Sequence, residues 1–477
     1  MPSGCFLYRY LTMPDRTRIE KDSLGEVFVP ADALYGAQTQ RAVDNFHISH
    51  QPLPPTFIRA IAQIKQAAAK ANHKLGLLSE EFANGIVRAC DQVIQGNFPG
   101  TYDQQFPVDI YQTGSGTSSN MNVNEVITQL IKRKASLEVS PNDHVNMGQS
   151  SNDVIPSAIH VAASEMLKHQ LMPAVDHLLK ILEQRKQELG SIVKTGRTHL
   201  MDAMPVTFEQ EISGWKALVI QDRQRFQQCI KRLNLLALGG TAVGTGTNTH
   251  RDFAIKACEH LHQTTGIAFK PTNNFFASLS LPSAALELSS ILKSLATTLT
   301  KVANDLRWMN SGPLAGFGEI ELAPLQPGSS IMPGKVNPVI CESVLMASAQ
   351  ITGFDTAITI GAQAGNFQLN TMLPMIGSNL VKGITLASNS CRVLADKALA
   401  DFTVKKEHVN DTLYKNPILI AALNPVIGYM KAAEIAKLAY AEKRSVLEVA
   451  KEKTNLSESE LKKLLDPILL TKGGLAE

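Results

Sequence analysis

Aromatic side chains are scarce in this chain, at 6 % of 477 residues with two tryptophans. That leaves an interior to be packed with Ala, Leu and Ile, as helices do. No apolar run approaches the ~18 residues of a membrane span, so no membrane partner is expected. Lys and Arg number 46 against 43 Asp and Glu, for a formal charge of +3. No Lys/Arg block stands out, so no nucleic-acid partner is expected. Six cysteines, Cys5, Cys90, Cys229, Cys258, Cys341 and Cys391, include no C-x-x-C pair. They read as small core residues, without a disulfide framework, and a cytoplasmic setting is expected. The first dozen residues, MPSGCFLYRYLT, lack an apolar h-region and a cleavage site. They precede Met13 and read as a short extension or an alternative start.

What is present is mostly helical pattern. At ~150 residues per domain the length suggests about three domains. Boundaries near Met147 and Lys406 give a mixed, mostly helical part at 1–147, a central long-helix bundle at 148–406 and a small helical part at 407–477. Ser23 to Leu34 suggests a short strand or two, and Pro54 to Leu75 an amphipathic helix. Three apolar stripes at helical spacing follow. They are Leu171, Val175, Leu178 and Leu182; Ile212, Trp215, Val219, Phe226, Ile230 and Leu233; and Leu288, Ile291, Leu295, Leu299, Val302 and Leu306. Thr207 with Gln210 predicts a capping box at the start of the second. Shorter helices are expected at Met430–Ala441 and Ser457–Leu465. Helices this long need much buried surface, and if side chains such as Ile291 and Leu295 have partners on two sides, another subunit is a natural source.

Five polar segments punctuate the helices. Gly328 to Asn337 reads GSSIMPGKVN, too broken by Gly and Pro for a helix and too polar for a core strand. It offers two hydroxyls, an ammonium and a carboxamide just before a helical stretch near Val339, where N–H groups and the dipole favour an anion. Thr113–Asn120 (TGSGTSSN), Gly148–Asp153 (GQSSND), Gly196–Asp202 (GRTHLMD) and Gly239–His250 (GGTAVGTGTNTH) have the same character, each expected beside a helix. Singly, each is a plausible turn. The GTG run is no dinucleotide fingerprint, lacking a preceding strand and a third glycine, and no Walker A sequence follows. KTG at Lys194–Gly196 lacks the companion motifs of a penicillin-binding site. Together, five clusters of neutral donors suit a small dicarboxylate. Among the twelve histidines, His160, His169 and His177 lie on helical patterns, and His260 and His262, two apart, make no metal-binding motif. His199 lies in a donor-rich turn.

GSSIMPGKVN resembles the signature loop of the fumarase/aspartase superfamily, with the serine pair, Met-Pro, Lys and Asn in order. The resemblance runs from about Arg18 to the C-terminal region, and the other four segments resemble those of class II fumarases. It implies a mainly α, three-domain fold with a central helical bundle, assembled as a homotetramer whose active sites draw on three subunits. It implies that Ser115, Gly116, Thr117, Ser150, Ser151, Asn152 and Thr198 bind the substrate's carboxylates. Ser330, Lys335, Val336 and Asn337 do so from the signature loop. Ser329 is then the base, and His199 pairs with Glu342, a carboxylate that fixes the imidazole's tautomer. The implied reaction is reversible hydration of fumarate to L-malate through an aci-carboxylate, with no metal or organic cofactor. Histidine as base through a water is the reverse assignment.

The chain departs from the family at its secondary anion site. Leu137 and Ser140 stand where arginine and histidine are expected, leaving Ser140, Pro141, Asn142 and Asp143, which argues against a second dicarboxylate there. Met147-Gly148 replaces a Lys-Ser pair. Aspartases, the nearest rival, usually carry glutamine at the position of His199 and lack the histidine matching His250. Argininosuccinate and adenylosuccinate lyases fit only the signature loop. An inactive crystallin-like protein is opposed by the intact Ser329, Lys335, Asn337 and His199. A Ser/Lys hydrolase using Ser329 would be revealed by a serine-trapping probe.

Overall fold

Alternating polar and apolar residues open the described chain with a hairpin. The computed structural model describes residues 16–134 and 137–474, so Cys5 and the extension at 1–12 lie outside the described residues. β1 (Thr17–Asp22) pairs antiparallel with β2 (Gly25–Pro30), which supplies the strand expected within Ser23–Leu34. Helices α1 (Ala37–Asn45), α2 (Pro55–Lys74), α3 (Glu80–Gln95), α4 (Tyr102–Gln105) and α5 (Thr117–Lys134) follow. Proline at the first position starts α2, where no N–H is needed. A π-turn at Pro141–Val145 leads to α6 (Ser151–Met166), and a second at Leu167–Leu171 joins α6 to α7 (Met172–Leu189).

The hairpin β3 (Val193–Thr198) and β4 (Met201–Thr207) precedes α8 (Phe208–Leu233). Then come α9 (Phe253–Thr265), α10 (Phe275–Ser280), α11 (Ser283–Met309), α12 (Val339–Gln363) and α13 (Leu373–Leu394). The remainder is α14 (Lys406–Lys415), α15 (Asn424–Ile427), α16 (Tyr429–Glu442), α17 (Val446–Lys453), α18 (Glu458–Leu464) and α19 (Pro467–Leu470). The predicted capping box forms at α8. The Thr207 N–H donates to Gln210 Oε1 at 3.0 Å and the Gln210 N–H to Thr207 Oγ1 at 3.1 Å.

Spatial proximity divides the chain into two compact units. The first holds residues through Leu171, Arg225–Lys293 and Ile351–Thr385, and the second holds Met172–Gln224, Ser294–Gln350 and Leu386 onward. In the first, α2 packs on α3, α6 and α9, while α1 and α3 pack on α5. In the second, α14 packs on β3, and the C-terminal helices enclose their own core of Leu419, Leu423, Ile435, Val449 and Leu461.

The predicted stripes are buried except at Ile230, which is partly exposed. Leu171, Val175, Leu178 and Leu182 are at most 1 % exposed, with Leu171 ending the π-turn and the rest continuing in α7. One expectation needs correction. Ile291 and Leu295 on α11 are buried within the single chain, at 8 % and 0 % exposure, so they need no second subunit. Exposed apolar surface is found on α12, where Met346 and Ile360 are exposed although the helix has few charges on any face. A helix apolar on most sides calls for burial. No helix among the described residues is long and apolar enough to cross a membrane.

Candidate active site

Three of the five polar segments meet in the first unit. Thr117 and Ser151 are the first residues of α5 and α6, and their hydroxyl oxygens lie 2.6 Å apart. Ser115 Oγ stands 2.8 Å from Thr117 Oγ1, so three hydroxyls form a chain across two helix N-termini. Gly116 allows the turn that brings them there. Its φ is +75°, and a Cβ would fall 2.8 Å from the Ile155 side chain. Ser150 caps α6, its Oγ accepting the Asn152 N–H at 3.2 Å while the Ser150 N–H donates to Asp153 Oδ1 at 2.9 Å. Asp153 Oδ2 accepts the Gly239 and Thr241 N–H groups, both at 2.9 Å. Asn152 Nδ2 donates to the Ala242 carbonyl at 2.8 Å. The 239–250 segment is thus strapped to the start of α6. Burial pushes the Asp153 carboxyl up to about 6, against the lowering effect of those N–H groups.

Gly148 has φ +70°, and a Cβ there would meet Thr249 Oγ1 at 2.8 Å. The Gly148 half of the departure therefore has a local reason, since glycine lets the 239–250 segment approach; nothing in the structure explains Met147.

The other two segments lie in the second unit. Gly328 to Asn337 forms a loop closed at its base. The Gly328 N–H donates to the Lys335 carbonyl at 2.8 Å, and Asn337 Nδ2 donates to the Gly328 carbonyl at 2.7 Å. A Cβ on Gly328 would fall 2.6 Å from the Lys335 oxygen. Inside the loop, Ser329 Oγ accepts the Ile331 and Met332 N–H groups at 3.2 and 3.1 Å. Ser330, Lys335 and Val336 are exposed. Lys335, Val336, Asn337 and Glu342 line one cavity of about 510 Å³, together with Arg307, Trp308 and Lys405.

GRTHLMD does not sit at a helix end as expected. It forms the tip of the β3–β4 hairpin, with Thr198 opposite Met201 and His199 and Leu200 as the turn, at φ 57° and 62°. Two left-handed residues match the twist of the strands, and Leu200 hides the turn from sequence reading because it is not a turn-former. His199 is exposed and lines a second cavity of about 390 Å³ with Lys194, Arg197 and Glu211. His199 and Glu342 line different cavities, and no hydrogen bond joins them in the chain. Below the tip, Arg197 holds both oxygens of Glu319 at 2.5 and 3.1 Å, and Lys194 Nζ reaches Glu319 at 3.1 Å. Arg197 also stacks over the Phe317 ring at 4.4 Å.

At the departed anion site, Ser140 Oγ donates to Asp143 Oδ2 at 2.7 Å and accepts the Asp143 N–H at 3.1 Å. The Ser140 N–H donates to His144 Nδ1 at 2.9 Å. Its donors are turned inward on a carboxylate and a ring. Sequence reasoning missed Asp153, Glu319 and Arg197 as supports. For Asp153 a signal existed in the S-x-x-D spacing of a capping box; Glu319 lies 122 residues from Arg197 and carried none.

A family model described as lyase matches residues 25–353, and one described as the fumarase C C-terminus matches residues 419–472. A fumarate hydratase class II of Xylella fastidiosa is 54 % identical over 461 residues, 97 % of each chain. A fumarate hydratase class II 2 of Pseudomonas aeruginosa is 53 % identical, over 96 % of this chain and 99 % of the relative. The class II fumarase of Schistosoma mansoni matches in structure with a TM-score of 0.92 at 36 % identity, over 96 % of this chain and 99 % of that one. With relatives of this kind along nearly its whole length, the chain belongs to the class II fumarate hydratase family of lyases.

Proposed function

We propose that the protein catalyses the reversible hydration of fumarate to L-malate by anti addition and elimination of water. The observation that carries this reading is the Ser329 hydroxyl, held on two loop N–H groups. Those donors are suited to an alkoxide, which makes an otherwise weak base competent. In the dehydration direction Ser329 Oγ takes the C3 proton of malate. The electron pair left on C3 delocalises into the neighbouring carboxylate as an aci-carboxylate. Lys335, Asn337 and Ser330 bind that carboxylate most strongly as charge grows on it. The C2–O bond then breaks, and His199, paired with Glu342, delivers the proton to the departing hydroxyl directly or through water. Ser115, Gly116, Thr117, Ser150, Ser151, Asn152, Thr198 and Val336 complete the dicarboxylate site. The relatives at 53–54 % identity carry the fumarate hydratase name, which favours this over the aspartase reading.

The working assembly is a homotetramer in which three chains contribute to each site. The exposed apolar positions on α12 support it, as does the His199–Glu342 pair that one chain leaves unmade. The three-part division at 1–147, 148–406 and 407–477 belongs to the same reading, supported by the separate core of the last part. Ser140, Pro141, Asn142 and Asp143 bind no second dicarboxylate, because Leu137 and Ser140 replace the expected arginine and histidine and the Ser140 hydroxyl is turned onto Asp143. A cytoplasmic location fits the free thiols.

The test is ultraviolet absorbance of fumarate on adding L-malate or L-aspartate to purified protein. Fumarate from malate alone is expected, and fumarate from aspartate would overturn the hydratase assignment.

A further inference from the structure

The hydroxyl-rich segments of the first unit contain no cation, yet one lies directly behind them. Lys65, in the middle of α2, is fully buried at 0 % exposure. Its Nζ donates to Asn146 Oδ1 at 2.8 Å and Gln149 Oε1 at 3.0 Å, both neutral carboxamides. Asn146 Oδ1 also accepts from Asn120 Nδ2 and Asn124 Nδ2 on α5, at 3.2 and 3.3 Å. Asn146 Nδ2 donates to the Gln149 carbonyl at 3.1 Å, and Gln149 Nε2 to the Val145 and Met147 carbonyls. The ammonium therefore organises the stretch that ends at Ser150, the cap of α6.

A buried ammonium without a carboxylate in contact opposes folding, and an apolar side chain of similar length would pack as well at lower cost. The titratable groups facing it are Asp153 on α6 and the Cys90 thiol on α3. Asp153 is strapped to backbone N–H groups and does not touch Lys65 Nζ. Desolvation lowers the Lys65 ammonium to about 7, so an anion bound in front of α6 would favour its charged form.

We propose that Lys65 is a positioning residue for dicarboxylate binding. Its ammonium fixes the Asn146 and Gln149 carboxamides that set the Ser150–Asn152 donors, and it supplies the positive potential those neutral donors lack. This rests on the dicarboxylate reading above. The residue touches no substrate and takes no part in proton transfer.

The test compares the unsubstituted protein with Lys65→Met in two measurements. One is steady-state kinetics with L-malate. The other is the rise in melting temperature produced by succinate, a dicarboxylate that does not turn over. The variant is expected to raise KM on the order of tenfold, the equivalent of one charge-assisted contact, with kcat little changed. Its succinate-induced shift is reduced, while its unliganded melting temperature is unchanged or higher. Normal KM with a normal succinate shift would overturn the proposal, as would equal loss of kcat and melting temperature, the mark of a purely structural role. If Lys65→Met fails to fold, Gln149→Glu sets a carboxylate on the ammonium, keeping that bond while losing the donations to the Val145 and Met147 carbonyls; the same KM rise is expected, and an unchanged KM refutes the idea. Failure of the unsubstituted protein to make fumarate from malate would instead sink the underlying reading.

Discussion

Thr117 Oγ1 lies 2.6 Å from Ser151 Oγ, and each residue is the first of its helix. Two helix N-termini thus converge on one pair of hydroxyls, with the positive ends of two dipoles aimed at the same place. An anion bound there meets donors that carry no counter-ion of their own. Replacing Ser151 with Ala is expected to raise KM for malate about tenfold. Combining it with Thr117→Ala should give a coupling of about 1 kcal/mol in kcat/KM, measured as a double-mutant cycle. Additive effects would mean that the two hydroxyls serve the ligand separately.

Gly116→Ala is expected to destabilise the fold by about 1–3 kcal/mol, through strain at positive φ and the clash with Ile155. Urea unfolding reads the shift in midpoint. A midpoint equal to that of the unsubstituted protein would show that the turn can relax.

Ser329→Ala should lower kcat by about two to four orders of magnitude, the usual loss on removing a positioned proton-transfer group. The melting temperature should stay put, because the serine oxygen serves only two exposed loop N–H groups. Near-normal kcat would exclude Ser329 as the base.

Glu319 is 2 % exposed and pairs with both Arg197 and Lys194. Removing the carboxylate in Glu319→Ala leaves Arg197 without its carboxylate at the base of the β3–β4 hairpin, and Lys194 with only Glu211 at 3.4 Å. A loss of about 3–5 kcal/mol is expected on chemical unfolding. Activity should fall with it, since the hairpin carries His199 at its tip. A variant as stable as the unsubstituted protein would show that water or Glu211 takes over the charge.

The buried Lys65 predicts a pH dependence of stability. Its folded pKa, lowered to about 7 by burial, lies below the 10.5 of a free lysine. Between those values the unfolded chain holds the proton and the folded one does not, so this group's contribution to stability rises with pH. Lys65→Met lacks that contribution. The melting temperature of the unsubstituted protein should therefore gain on that of the variant from pH 7 to pH 9. A constant difference would mean that Lys65 keeps its proton throughout.

Local signals were legible in the sequence. The loop at Gly328–Asn337, the cap at Thr207 and Gln210 and the stripe through Leu295 each depend on residues close together along the chain, and each formed. Long-range relationships were not legible. Lys65 reads as an ordinary helical lysine because its partners Asn146 and Gln149 stand 81 and 84 residues away. Leu200 concealed the hairpin turn, since a branched side chain at φ 62° is held there by the paired strands rather than by its own preference. Nothing in chain order told that three polar segments would gather in one unit and two in the other. The burial of Ile291 inside one chain was equally hidden, because periodicity gives the face of a helix and not the identity of its neighbour.

Five thiols, Cys90, Cys229, Cys258, Cys341 and Cys391, are buried and unpaired, on α3, α8, α9, α12 and α13. Burial pushes their pKa values up, to about 12 for the last four, so they are poor nucleophiles while the fold is closed. A thiol reagent can then modify them only as fast as each helix opens. With Cys5 replaced, the order in which they are labelled would give a helix-by-helix map of local opening, recorded by the protein's own side chains.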